Sequence, residues 1–123
     1  MVEHFTWVLW ITGALTATPI LQFVAPRLVL KRMYRIELAD EAGVMFARHW
    51  GLLAAAFGGL LLYAAGHPAV RVPIVLAAAA EKAGLVACIA LAFDKPYTKG
   101  LRLVAVVDAI CVVLYVIWLG LTA

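Results

Sequence analysis

With 123 residues the chain has the length of a single domain, yet 67% of it is hydrophobic and only 14% is charged. A soluble domain of that size cannot hide so much apolar surface, which excludes an ordinary water-soluble globule and points to the bilayer as solvent. The net charge of +3 arises from basic residues in short loops, so it is not a nucleic-acid signal and no nucleic-acid partner is expected.

Four apolar runs of about 20 residues recur, the length a helix needs to cross about 30 Å of hydrocarbon. The first, about 5–25, carries no charge. It reads as a span and not as a cleaved leader, because Met1, Val2, Glu3 and His4 supply no positive charge ahead of it. Pro19 removes a backbone donor and should bend this helix, with Thr16 and Thr18 available to the freed groups.

The connection over 26–45 places Arg27, Lys31 and Arg35 at a spacing of four, as are Glu37 and Glu41, with Leu30, Met33, Tyr34 and Ile36 between them. One reading is a short amphipathic helix at the cytoplasmic surface, with Arg27, Lys31 and Arg35 toward anionic head groups. The other is an ordinary loop that is basic because it is cytoplasmic.

The second span, about 46–65, contains His49, Trp50 and the small residues Gly51, Ala55 and Gly59. The third, about 72–93, holds Glu81 and Lys82 within "AAAAEKAGLVACIA", above Ala80, Gly84 and Cys88. The fourth, about 101–121, carries Asp108 and Tyr115. Helices are the spanning element this pattern requires, since lipid offers no partner to an open backbone. The chain is therefore expected to be all-α: a polytopic integral membrane protein folded as a single four-transmembrane-helix bundle. Small residues four apart, including Gly13 and Ala17 on the first helix, should mark close helix contacts.

Eight Lys and Arg residues fall in the connections after the first and third spans, whereas Arg71 alone lies on the other side. Cytoplasmic loops hold that excess, so both termini are expected on the non-cytoplasmic side of a bacterial inner membrane. Trp7, Trp10, Trp118 and Tyr63 then fall toward the outer interface, and Trp50 and Tyr97 toward the inner one.

The third span is the anomaly. Glu81 lies nine residues from its outer end, about 13 Å deep and close to the midplane. Two central charges cost about 5 to 7 kcal/mol on the insertion scale, against about 3 to 5 kcal/mol returned by the helix's Leu, Ile, Val and Phe residues. Such a helix must turn Glu81 and Lys82 into the bundle or toward another subunit. Adjacent residues point about 100° apart, so the two cannot pair on one helix face. Asp108 is the expected partner of Lys82, because a short loop makes the third and fourth helices antiparallel neighbours and a lysine can span the depth mismatch of about 5 Å. Glu81 is then left without a cation, the condition for a proton-linked carboxylate. His49, Gln22 and Tyr115 are the other polar groups that could join a ligand- or proton-binding site. The competing expectation is a cluster that only fixes helix register or subunit pairing.

Other chemistry has little support. Cys88 and Cys111 sit at different depths, which favours packing over a disulfide. Glu3, His4 and His67 share the outer surface without a recognised metal-ligand spacing, and phosphate-loop, nucleophile-elbow, HExxH and CxxC motifs are missing, so no metal and no cofactor is expected. The four short spans, and "ARHWGLLAAAFGGLLLYAA" followed by a proline-bearing turn, resemble the small DoxX-like bacterial membrane proteins. That resemblance implies the architecture and carries over no functional residue.

The expected function is binding or transport of a small molecule, a lipid or a proton at a midplane cluster of Glu81, Lys82 and Asp108, in a homo-oligomer or with a membrane-protein partner. An accessory subunit paired through its buried charges is the first alternative. An intramembrane enzyme using Glu81 and Asp108 as acid and base on a lipid-like substrate is the second.

Overall fold

The computed structural model describes residues 4–122 and is all-α, with no strand among the described residues. Glu3 lies outside them. Six α-helices follow in order: α1 (Phe5–Ala17), α2 (Ile20–Val24), α3 (Pro26–Tyr34), α4 (Glu41–Gly66), α5 (Arg71–Leu91) and α6 (Arg102–Thr122). Single 3-10 segments at Pro68–Val70 and Pro96–Leu101 join α4 to α5 and α5 to α6. Four stretches are long and apolar enough to cross a membrane: Phe5–Val24, Glu41–Gly66, Pro68–Leu91 and Pro96–Thr122. Their outward faces carry exposed Leu21, Leu76, Leu91 and Leu103, a surface suited to lipid and not to water. The end of the bundle holding His4, the α4–α5 connection and Thr122 is called the terminal end below, and the opposite end, with α3 and the α5–α6 connection, the basic end.

The first span breaks where Pro19 has no N–H to give. The carbonyl of Leu15, which that N–H would have bonded, accepts instead from the Thr18 amide at 3.3 Å and the Thr18 hydroxyl at 2.7 Å. Re-satisfying the carbonyl in this way lets α1 and α2 remain one bent span.

The connection after it is a helix. Pro26 suits the first helical position, and α3 ends at Arg35 in the left-handed region (φ 57°), with the Ile36 amide closing on the Leu30 carbonyl at 2.9 Å. Its cations turn to their own connection: Arg27 donates to the Leu38 carbonyl at 2.5 Å and approaches Glu41 at 4.0 Å, while Lys31 meets Glu37 at 3.7 Å.

Helix α4 starts upstream of the apolar run that defined the second span. Asp40 is extended and its carboxylate accepts from the Gly43 amide at 2.7 Å, so a side-chain cap sets the helix start where hydropathy marks only the hydrocarbon boundary.

Helices α1 and α2 lie along α4, and α5 lies along α6. The α1–α4 contact is close because Gly58 has no side chain: a Cβ there would overlap the backbone of Ala17. Gly59, expected at this contact, faces open space one residue further round the helix. The Ala80, Gly84 and Cys88 stripe of α5 is likewise exposed, not packed within the bundle, because Ala78, Ala79 and Lys82 take the inward positions.

The core fills the terminal half. Phe5, Leu9, Leu61, Ala64, Val75 and Tyr115 are fully buried there. Trp118 joins them instead of the interfacial belt, stacked on Phe5 with ring centroids 4.4 Å apart, and Tyr115 meets Phe5 edge-on at 6.2 Å. Trp7, Trp10 and Tyr63 remain exposed. Arg71, the isolated cation of this end, caps α4: it donates to the carbonyls of Ala64 at 2.8 Å and Ala65 at 2.7 Å, and to the Thr6 hydroxyl at 3.1 Å.

Candidate functional site

Below that core the bundle is hollow. A cavity of about 290 Å³ lies among α1, α2, α4, α5 and α6, with α3 beneath it. It reaches from Gly100 in the α5–α6 connection up along α6, where its lining runs from Leu103 to Cys111, about 12 Å at the helical rise. The terminal half fills its space with the rings of Phe5, Tyr115 and Trp118, whereas α6 presents no aromatic ring lower down, where Leu103, Val104, Val107, Asp108 and Cys111 line the cavity.

The roof is a hydrogen-bond chain. The Tyr115 hydroxyl donates to Thr12 Oγ1 at 2.6 Å, and the Thr12 hydroxyl donates to the Val8 carbonyl at 2.7 Å. This chain and the Phe5–Trp118 stack tie α1 to α6 near the terminal end, and they separate the packed half from the open half.

The wall holds the charges. Lys82 donates from Nζ to Oδ1 of Asp108 at 2.9 Å, with both side chains at most one tenth exposed. Depth and loop length nominate this pair, and the packing of α5 on α6 brings it together. Glu81 also lines the cavity but is half-buried, and it makes no hydrogen bond or ion pair among the described residues. The step of about 100° between adjacent residues puts Lys82 against α6 and leaves the Glu81 carboxylate in the opening. Gln22 is almost fully buried and its Nε2 donates to the Ala47 carbonyl at 2.7 Å, which ties α2 to α4 at the cavity's edge.

The floor comes from two connections. Tyr34, the last residue of α3, backs onto Gly100, where a Cβ would overlap the Tyr34 carbonyl. Its ring lies 6.3 Å from that of Trp50 on α4. Burial, reinforced by the nearby Asp108 carboxylate, pushes the Tyr34 phenol above its ordinary range, so it stays a neutral hydrogen-bond donor.

Of the six residues nominated from sequence, Glu81, Lys82, Asp108 and Gln22 line the cavity, whereas Tyr115 belongs to the packed core one turn above Cys111 and is not part of the lining. His49 does not take part: it is exposed on the outside of α4, because its neighbour Trp50 occupies the inward position. Sequence reasoning missed Tyr34, Trp50 and Gly100 as site residues. Tyr34 and Gly100 belong to different connections, and no periodicity links them.

No family model, no characterised protein and no solved structure matches the chain. The cavity's chemistry therefore stands on its own geometry. One ion pair neutralises itself, one carboxylate is left over, and phenol, amide and indole groups surround an otherwise aliphatic space. Among the described residues no three His, Cys, Asp or Glu side chains converge as a metal site. His67 is engaged elsewhere, its Nδ1 2.8 Å from the Tyr63 carbonyl and its ring stacked on Tyr63.

Proposed function

We propose that this protein binds a small amphipathic molecule in the cavity beneath Tyr115 and carries it, or a proton, between membrane and solution through Glu81. The observation that supports this most directly is an unpartnered carboxylate inside a 290 Å³ hollow at membrane depth. An intramembrane charge is costly, and a fold that needed only a structural clasp could stop at the Lys82–Asp108 pair. The hollow is at the lower end of the volumes that small-molecule sites occupy, which favours a single ring system or short chain over a whole phospholipid.

In this reading the protein sits in a bacterial inner membrane with both termini outside, so that the basic end and the Tyr34 floor face the cytoplasm. Exposed Arg32 and Arg35, with Arg27 and Lys31, supply the cations that would meet anionic head groups there. The resemblance to DoxX-like proteins belongs to the same proposal and bears on architecture alone.

A second reading, an accessory subunit, draws support from the exposed Ala80, Gly84 and Cys88 face of α5, which lets another helix approach closely. Native mass spectrometry of protein released gently from its own membrane separates the two. Binding predicts a homogeneous species carrying one small molecule that is lost when Ala54→Leu fills the cavity. A stoichiometric complex with a second protein and an empty cavity would replace this reading with the accessory one.

A further inference from the structure

The charge count inside the cavity narrows the ligand, given the binding function proposed above. Lys82 is matched by Asp108 at 2.9 Å, which leaves Glu81 as the group whose charge nothing offsets. The groups facing it from the other elements do not change this balance. From α6 come Asp108 and the Cys111 thiol, from α3 the Tyr34 phenol, and from α1, α2 and α4 the uncharged Thr16, Gln22 and Trp50. With Glu81 ionised, the site carries one net negative charge.

Each class of ligand meets that balance differently. An anion would face two carboxylates and an ammonium already engaged. A neutral molecule would leave Glu81 desolvated and unpaired, so the carboxylate would have to take up a proton to admit it, a cost that an organic cation does not incur near neutral pH. A small inorganic cation would have to shed water for few oxygen donors among aliphatic walls formed by Leu85, Val104 and Val107. An organic monocation satisfies all of these terms, placing its charge at Glu81 and its apolar body against those walls. The Trp50 and Tyr34 rings at the floor add the negative π faces that attract an alkylammonium.

We propose that the cavity selects a hydrophobic monocation, a protonated amine or quaternary ammonium of about one ring's bulk, with Glu81 as its counter-ion. Selection then comes from charge, since shape alone would accept the uncharged isostere.

The test uses benzyltrimethylammonium and neopentylbenzene, which share a shape and differ by one charge. The full-length protein is labelled with 5-fluorotryptophan in detergent micelles near neutral pH, and the Trp50 resonance is assigned by its loss in Trp50→Phe. The cation should shift that resonance saturably, at a concentration at least tenfold below that needed for the isostere. Glu81→Gln should raise the cation's half-saturation at least tenfold and leave the isostere's unchanged. Equal titration by both probes in the wild-type protein overturns the cation assignment while leaving a binding cavity in place. No saturable shift with either probe overturns the cavity reading as well. Should Glu81→Gln fail to fold, the comparison of the two probes on wild-type protein still decides.

Discussion

Tyr34, in the connection between the first two spans, lies so closely against Gly100, in the connection between the last two, that no side chain fits between them. This contact joins the two helical hairpins at the basic end, as the Tyr115–Thr12 hydrogen bond joins them above. Between these two ties the hairpins part, and the cavity is the result. Side-chain bulk thus decides where the bundle is solid and where it is open.

Gly100→Ala should therefore loosen the floor. The atoms its Cβ meets are Tyr34 backbone and cannot swing aside, so α3 must shift as a unit. A loss of about 1 to 3 kcal/mol is expected, as for other overpacked contacts. In a Cys88→Ala background, alkylation of Cys111 at the top of the cavity should become faster. Unchanged melting and alkylation would show that α3 does not close the site.

Lys82→Leu should cost far more than an ordinary surface change, because it strands the Asp108 carboxylate inside the bundle. Breaking a buried pair from one side typically costs about 3 to 5 kcal/mol, whereas replacing both partners with apolar residues is often neutral. The double variant Lys82→Leu, Asp108→Leu should recover most of the loss in a double-mutant cycle of detergent unfolding. Additive losses would mean that the two residues act independently.

The sequence makes some of this legible and conceals the rest for identifiable reasons. Glu81, Lys82 and Asp108 stand out because charge within an apolar run has no cheap location other than the bundle interior. The Lys82–Asp108 pair follows from depth and chain direction, quantities that helix geometry fixes. Gln22 lines the site through a tertiary hydrogen bond to Ala47 that composition does not encode. Trp50 looks like an interfacial residue and Tyr34 like part of an amphipathic surface connection, because an aromatic near a membrane boundary has the same sequence signature whether it faces lipid or a cavity. The start of α4 at Glu41 was hidden for another reason: Asp40 caps the helix in a polar stretch, where hydropathy is silent.

Tyr34 also sets a pH dependence at the alkaline end. Burial and the Asp108 carboxylate raise its phenol above the ordinary value of 10.0 in the folded protein. The folded state then holds the proton more tightly than the unfolded chain, so this contribution is fully present below pH 10 and is lost as pH rises toward the folded value. Wild-type protein should lose stability above that pH more steeply than Tyr34→Phe. Parallel alkaline melting curves would remove Tyr34 from the account.

The register of α4 against α1 offers the sharpest contrast, because adjacent glycines should respond in opposite ways. At Gly58 a new side chain would drive into the Ala17 backbone, just before the bend that Pro19 creates, whereas at Gly59 it would enter open space. Helices in lipid associate through close van der Waals contact, not hydrophobic exclusion, so separating α1 from α4 forfeits the contact with little in return. Gly58→Leu should lower stability by at least about 1 to 3 kcal/mol. Because the hollow lies between the same helices, it should also weaken any ligand seated beneath Tyr115. Gly59→Leu should do neither, and the exchange of a glycine for a better helix former should raise stability slightly. Thermal unfolding of both variants in the same detergent reads the difference directly, and equal losses would place α4 in a different rotation about its axis.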